Sequence, residues 1–196
     1  MRSAGRAFLL VISLGLSPAI TAAQGPGSRF AAVVGGTTLS DMAGLASTSD
    51  SRWGATAGLL FGVNTWRTAI TFEGNYIQKG GGDTRLDYIE LPLTIGAIVP
   101  AGTAGRVRVY GGASVGFKVS CDTDLVGLDC DDASGTEWGL PLGIQFGRSA
   151  PSGGTFFAFD VRYTFALSDV FETVDVYNRP WQFRLMFGKV LGVGSE

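Results

Sequence analysis

The chain has 196 residues, among them 30 glycines and no histidine, with 16% charged side chains and a formal net charge of −2. That charged fraction lies below the roughly one quarter usual in soluble domains, and the absence of a basic surplus excludes a nucleic-acid partner. Without histidine, any mechanism that uses imidazole as a base is excluded too, and a single domain is expected.

The first element is an export signal. Arg2 and Arg6 supply the positive region, Ala7 to Leu16 an apolar run too short to span a bilayer, and Thr21, Ala22 and Ala23 a small-residue cleavage site. The expected division is a signal peptide over 1–23 and a barrel domain over 24–196.

No later segment reaches the roughly eighteen consecutive apolar residues of a membrane helix, and none keeps a helical period. The chain offers alternating runs instead. The first, Arg29 to Leu39, alternates poorly and is expected mainly because an even strand count requires it. Trp53 to Val63 follows, then Trp66 to Lys79, where Trp66, Ile70, Phe72 and Tyr76 oppose Thr71, Glu73 and Asn75. Tyr88 to Val99 carries Ile89, Leu91, Leu93 and Ile95 on one parity, and Arg106 to Ser120 carries Val107, Val109, Val115 and Phe117. Glu137 to Gly147, Thr155 to Leu167 and Trp181 to Leu191 complete eight strands. Pro92 and Pro141 occupy matching Leu-Pro-Leu settings. Bulges are expected at both, because a closed barrel has no edge where a missing donor is harmless.

The links alternate in length: long over Ser40 to Arg52, tight at Asn64 and Thr65, medium over Gly80 to Leu86, short over Pro100 to Gly105. Long (Cys121 to Thr136), short (Arg148 to Gly154) and long (Ser168 to Pro180) links follow. A meander with long loops at one end and tight turns at the other is the layout of an outer-membrane barrel. The predicted fold is therefore all-β, an eight-stranded antiparallel up-and-down transmembrane barrel.

Alternation alone does not say which face is wet, since a soluble ligand-carrying barrel puts its apolar face inward. The aromatic residues favour lipid outside. Trp53, Tyr76, Phe117, Trp138, Phe165 and Trp181 fall near the long-loop end, and Trp66, Phe146, Phe157 and Phe187 near the short-turn end, all on the apolar parity. Two bands of rings on one face read as girdles at both interfaces.

The opposite parity is mostly small residues plus a few charges. Glu73, Glu90, Asp160, Arg162 and Arg184 map to the middle or upper lumen, and Arg106 and Arg108 toward the periplasmic end. Mutual neutralisation is the expected role, because isolated charges in a narrow interior are costly. A lumen filled in this way argues against an open pore, which needs about twice as many strands.

Cys121 and Cys130 flank one exterior loop, and export places them in an oxidising space where a disulfide is expected. Two thiols without histidine fall short of a zinc site. The same loop carries Asp122, Asp124, Asp129, Asp131 and Asp132, whose spacing misses the calcium-loop pattern. No catalytic, cofactor-binding or metal residue is assigned.

The segment "LDYIELPLTIGAIVP" and, after a short turn, "VRVYGGASVGFKVS" resemble the central hairpin of the PorT-like outer-membrane β-barrel family. The matching residues are Tyr88, Glu90, Leu91, Pro92 and Leu93, then Tyr110, Gly111, Gly112, Gly116, Phe117 and Lys118. The resemblance implies a small barrel of the bacterial outer membrane. The expected function is a structural or interaction protein of the cell envelope, in contact with outer-membrane lipid and with a protein partner at its long loops, and not an enzyme. The alternatives are small-solute transport or a lipid-modifying barrel, then a soluble periplasmic ligand-binding barrel.

Overall fold

The structure, a computed structural model, describes residues 27–44, 47–48, 50–65, 67–101, 105–123, 130, 133–149, 154–170 and 176–193. The expected export signal, Trp66, and the loop residues Asp124, Asp129, Asp131 and Asp132 lie outside them.

The strands are β1 (Ser28–Gly44), β2 (Ser47–Thr48), β3 (Arg52–Asn64), β4 (Thr68–Gly81), β5 (Thr84–Ala101), β6 (Gly105–Thr123), β7 (Thr136–Ser149), β8 (Thr155–Ala166) and β9 (Val176–Val193). β2 is a two-residue return paired with the end of β1. The other eight pair antiparallel in chain order, and β1 closes on β9 from Ser28↔Val193 to Gly44↔Val176. The result is a closed eight-stranded barrel with no edge strand.

Alternation decides the two faces. Leu93, Ile95, Val109 and Phe187 stand outward and exposed, Phe187 at 60%, while Glu73, Asp160, Arg162 and Arg184 point inward at 0%. Such a surface is stable in hydrocarbon, where the outward chains meet lipid and the backbone groups are paired within the sheet. It also removes the soluble reading, which needs the apolar face inside.

Three local expectations are corrected. The medium link over Gly80 to Leu86 is absent, because pairing continues to Gly81↔Thr84 and leaves only Gly82 and Asp83 to turn, with Gly82 at φ 54°. β5 and β6 are 18 and 19 residues long, more than the roughly ten needed to cross, so their paired outer ends, with the β4–β5 turn, project beyond the outer girdle. The bulges at Pro92 and Pro141 do not form either. On β4–β5 the register is the same at Phe72↔Leu93 and Asn75↔Glu90, and on β6–β7 at Gly111↔Leu142 and Ser114↔Gly139. The ladder simply skips the pairs around each proline, while the other side pairs normally at Pro92↔Ser114 and Pro141↔Thr164. The register shifts lie instead at Asp87/Tyr88 on β5–β6 and at Arg29/Phe30 on β1–β9.

The interior is layered. Near the short turns, Phe30, Ala32 and Val34 of β1 pack inward against Leu60, Ala158 and Met186, with Phe156 beside them. A Cβ at Gly62 would collide with the Phe30 ring, so that glycine makes room for it. Charged and polar groups fill the middle. At the long-loop end Met42, Ile77, Leu86, Tyr88 and Val176 form a second apolar cluster with Ala133 and Val170 from the loops.

Candidate functional site

The central group is assembled by cross-strand geometry. Asp160 on β8 sits directly opposite Arg184 on β9, and Arg184 Nη2 lies 2.7 Å from Asp160 Oδ2. Arg184 Nη1 also reaches Glu73 Oε2 on β4 at 2.7 Å, and Arg162 on β8 pairs with the other oxygen of Glu73. In the ring order β4 and β8 stand four places apart among eight strands, so the Glu73–Arg162 pair crosses the lumen between opposite walls. Tyr110 on β6 donates to Asp160 Oδ1 at 2.8 Å and accepts from Arg162 Nε at 2.9 Å. Asn75 Nδ2 donates to Glu73 Oε2 at 2.9 Å. Two carboxylates meet two guanidiniums, and each charge is offset where solvent is excluded.

A second group lies toward the loops. Lys79 on β4 places its ammonium 2.8 Å from Glu90 of β5 and 2.7 Å from Glu137 of β7. Asn178 of β9 donates to Glu137 Oε2 at 2.9 Å, and the ammonium lies 5.1 Å from the Tyr88 ring centroid. The seven polar residues expected in one lumen network are thus divided. Glu73, Asp160, Arg162 and Arg184 come together, Glu90 belongs to the outer group, and Arg106 and Arg108 lie near the short turns. Arg108 breaks the expected pattern, since among the described residues its hydrogen bonds go to the neutral oxygens of Gln145, Ala69, Thr71 and Thr94.

Lys79, Glu137 and Asn178 were not singled out by the sequence reading, and Tyr110 entered it only through the hairpin resemblance. Lys79 shares the parity of Glu73 and Glu137 that of Gly139, so parity carried the signal; both stood at run ends, where it is weakest.

Trp53, Phe117, Trp138, Phe165 and Trp181 are exposed at the long-loop end, and Phe146, Phe157 and Phe187 at the other. Phe157 and Phe187 pack at 5.0 Å between centroids, Tyr163 and Trp181 at 4.9 Å. Tyr76 is half-buried, and its hydroxyl donates to Asp87 Oδ2 at 2.7 Å.

The exterior loops are tied together. Cys121 and Cys130 form a disulfide with Cα atoms 5.7 Å apart. Lys118 Nζ donates to the Cys130 carbonyl at 2.9 Å, and Ser134 N donates to Val170 O at 2.7 Å, which joins the β6–β7 and β8–β9 loops. Ala133 and the fully buried Val170 then sit on the outer apolar cluster.

Among solved structures, the crystal structure of Neisserial surface protein A (NspA) is similar at 12% identity and a TM-score of 0.54, covering 83% of this chain and 97% of that one. Ail, the attachment invasion locus protein of Yersinia pestis, is similar at 11% identity and a TM-score of 0.46, over 82% and 98% of the two chains. The NspA likeness shows a shared fold. No curated protein matches. The model of the outer membrane protein beta-barrel domain matches residues 11–172, and β9, beyond that match, supplies the strand that closes the ring. The chain belongs to the outer membrane protein beta-barrel domain family and is a protein of the bacterial outer membrane.

Proposed function

We propose that this barrel is a structural and interaction protein of the cell envelope, with a lumen that does not conduct and exterior loops that meet an extracellular or envelope partner. The observation that carries the reading is the Glu73–Arg162 pair between opposite walls, with Arg184 and Asp160 beside it and Lys79, Glu90 and Glu137 above. The binding role is supported by the loops, which a disulfide and a shared apolar cap hold against a rigid wall. No catalytic role is proposed: the lumen carboxylates Glu73, Glu90, Glu137 and Asp160 are all committed to cationic side chains.

Replacing residues 122–135 and 168–175 by short Gly-Ser connections tests it. The variant is expected to insert and stay folded while losing the cell-surface phenotype that expression confers; an unchanged phenotype overturns the reading. A finer kinship with the PorT-like barrels rests on the hairpin from Tyr88 to Lys118. Removal of residues 1–23 is part of the same proposal, and sequencing the N-terminus of the membrane-inserted protein should begin near Gln24.

A further inference from the structure

A cavity of about 60 Å³ lies at the short-turn end of the lumen, lined by Asn64, Arg106, Arg108, Gln145, Ser149 and Phe156 among others. Arg108 is 6% exposed, and among the described residues its two Nη groups donate to neutral oxygens, the shortest contact being Thr94 Oγ1 at 2.8 Å. Its guanidinium lies 4.6 Å from the Tyr110 ring centroid, and among the described residues Nε has no hydrogen-bond partner. Among the described residues no carboxylate forms an ion pair with it, because Glu73 and Asp160 are taken by Arg162 and Arg184. Neutral oxygens and a ring hold the group in place, yet they leave a buried positive charge without a counter-charge.

Arg106, two residues along the same inward face, is half-buried and brings a second guanidinium to the cavity. Phe30 and Phe156, edge to face with centroids 5.7 Å apart, form an apolar side of the pocket that limits water and strengthens its field. The lining comes from strand ends, including Asn64, the last residue of β3, and Ser149, the last of β7, so access is from the periplasm.

From these features we infer that the cavity binds a small oxyanion, a carboxylate or phosphate group, which supplies the counter-charge of Arg108 with Arg106 as second arm. The size admits that class, since one water needs only about 10–15 Å³ of such space, so a group of a few heavy atoms fits. Forked guanidinium donors match the geometry of both groups.

The full-length barrel, refolded in nanodiscs, is titrated with inorganic phosphate against chloride at constant ionic strength, with 31P line broadening and the unfolding midpoint as readouts. A saturable effect is expected, weakened about tenfold or more in Arg108→Gln, since a hydrogen bond to a charged group is lost. Arg106→Gln, at a half-buried position, should weaken it as well, whereas Arg179→Gln, exposed at the opposite end, should not. An absent or unsaturable effect, or one equal in wild type and Arg106→Gln, overturns the assignment. Acetate in place of phosphate separates the two groups. Glycerol 3-phosphate binding as well as phosphate indicates the end of a larger molecule, and phosphate alone a free ion; either supports the site.

Discussion

At the scale of single residues, the central lumen group depends on mutual charge pairing. Removing the Glu73 carboxylate leaves Arg162 without its ion-pair partner and Arg184 with only Asp160, in a space with no solvent to compensate. Glu73→Ala should therefore cost about 3–5 kcal/mol, read from the denaturant midpoint of the refolded barrel; a loss under about 1 kcal/mol would show that the pairs contribute little beyond packing. Gly143 tests the fit around the same group. A Cβ there would run into the Tyr110 hydroxyl, which cannot swing away because Asp160 and Arg162 hold it. Gly143→Ala should cost about 1–3 kcal/mol on the same assay. Parity made Glu73, Asp160, Arg162 and Arg184 legible as interior charges. It could not say which partners meet across the barrel, because that depends on ring order and on how far each strand slides against the next. Arg108 shows the limit: the sequence placed it inside, but not beside neutral oxygens.

At the scale of elements, the strands were readable where one face is apolar and the other polar. β1 was hard to read for a physical reason. Phe30, Ala32 and Val34 face an apolar part of the lumen while Val33 faces out, so both parities are apolar. The prolines misled for a related reason, since a missing donor needs a bulge only if the neighbouring ladder must stay continuous, and here it skips two pairs without shifting. The loop cap was beyond reach, because Ala133 and Val170 are unremarkable until their loops meet. Reduction of the Cys121–Cys130 disulfide should expose the β6–β7 loop to protease while leaving the unfolding midpoint of the barrel unchanged, as the bond closes a loop outside the apolar band. Val170→Asp should likewise increase cleavage in both loops, by placing a charge in the outer apolar cluster. Equal protection of the variant and the wild type would remove the cap from the account.

At the scale of the whole molecule, eight alternating runs paired in chain order make the up-and-down topology, and closure by β9 against β1 removes every edge. Protein from the outer-membrane fraction should keep its compact gel mobility in SDS and shift only on boiling, because detergent finds no open strand to attack. The central claim is that an eight-stranded wall with ion pairs between opposite sides leaves no path for ions. Planar-bilayer recording tests it most directly. Wild type should give no stepwise conductance, and Glu73→Ala combined with Arg184→Ala should be the form that first shows any; steady single-channel steps in the wild type would contradict the account.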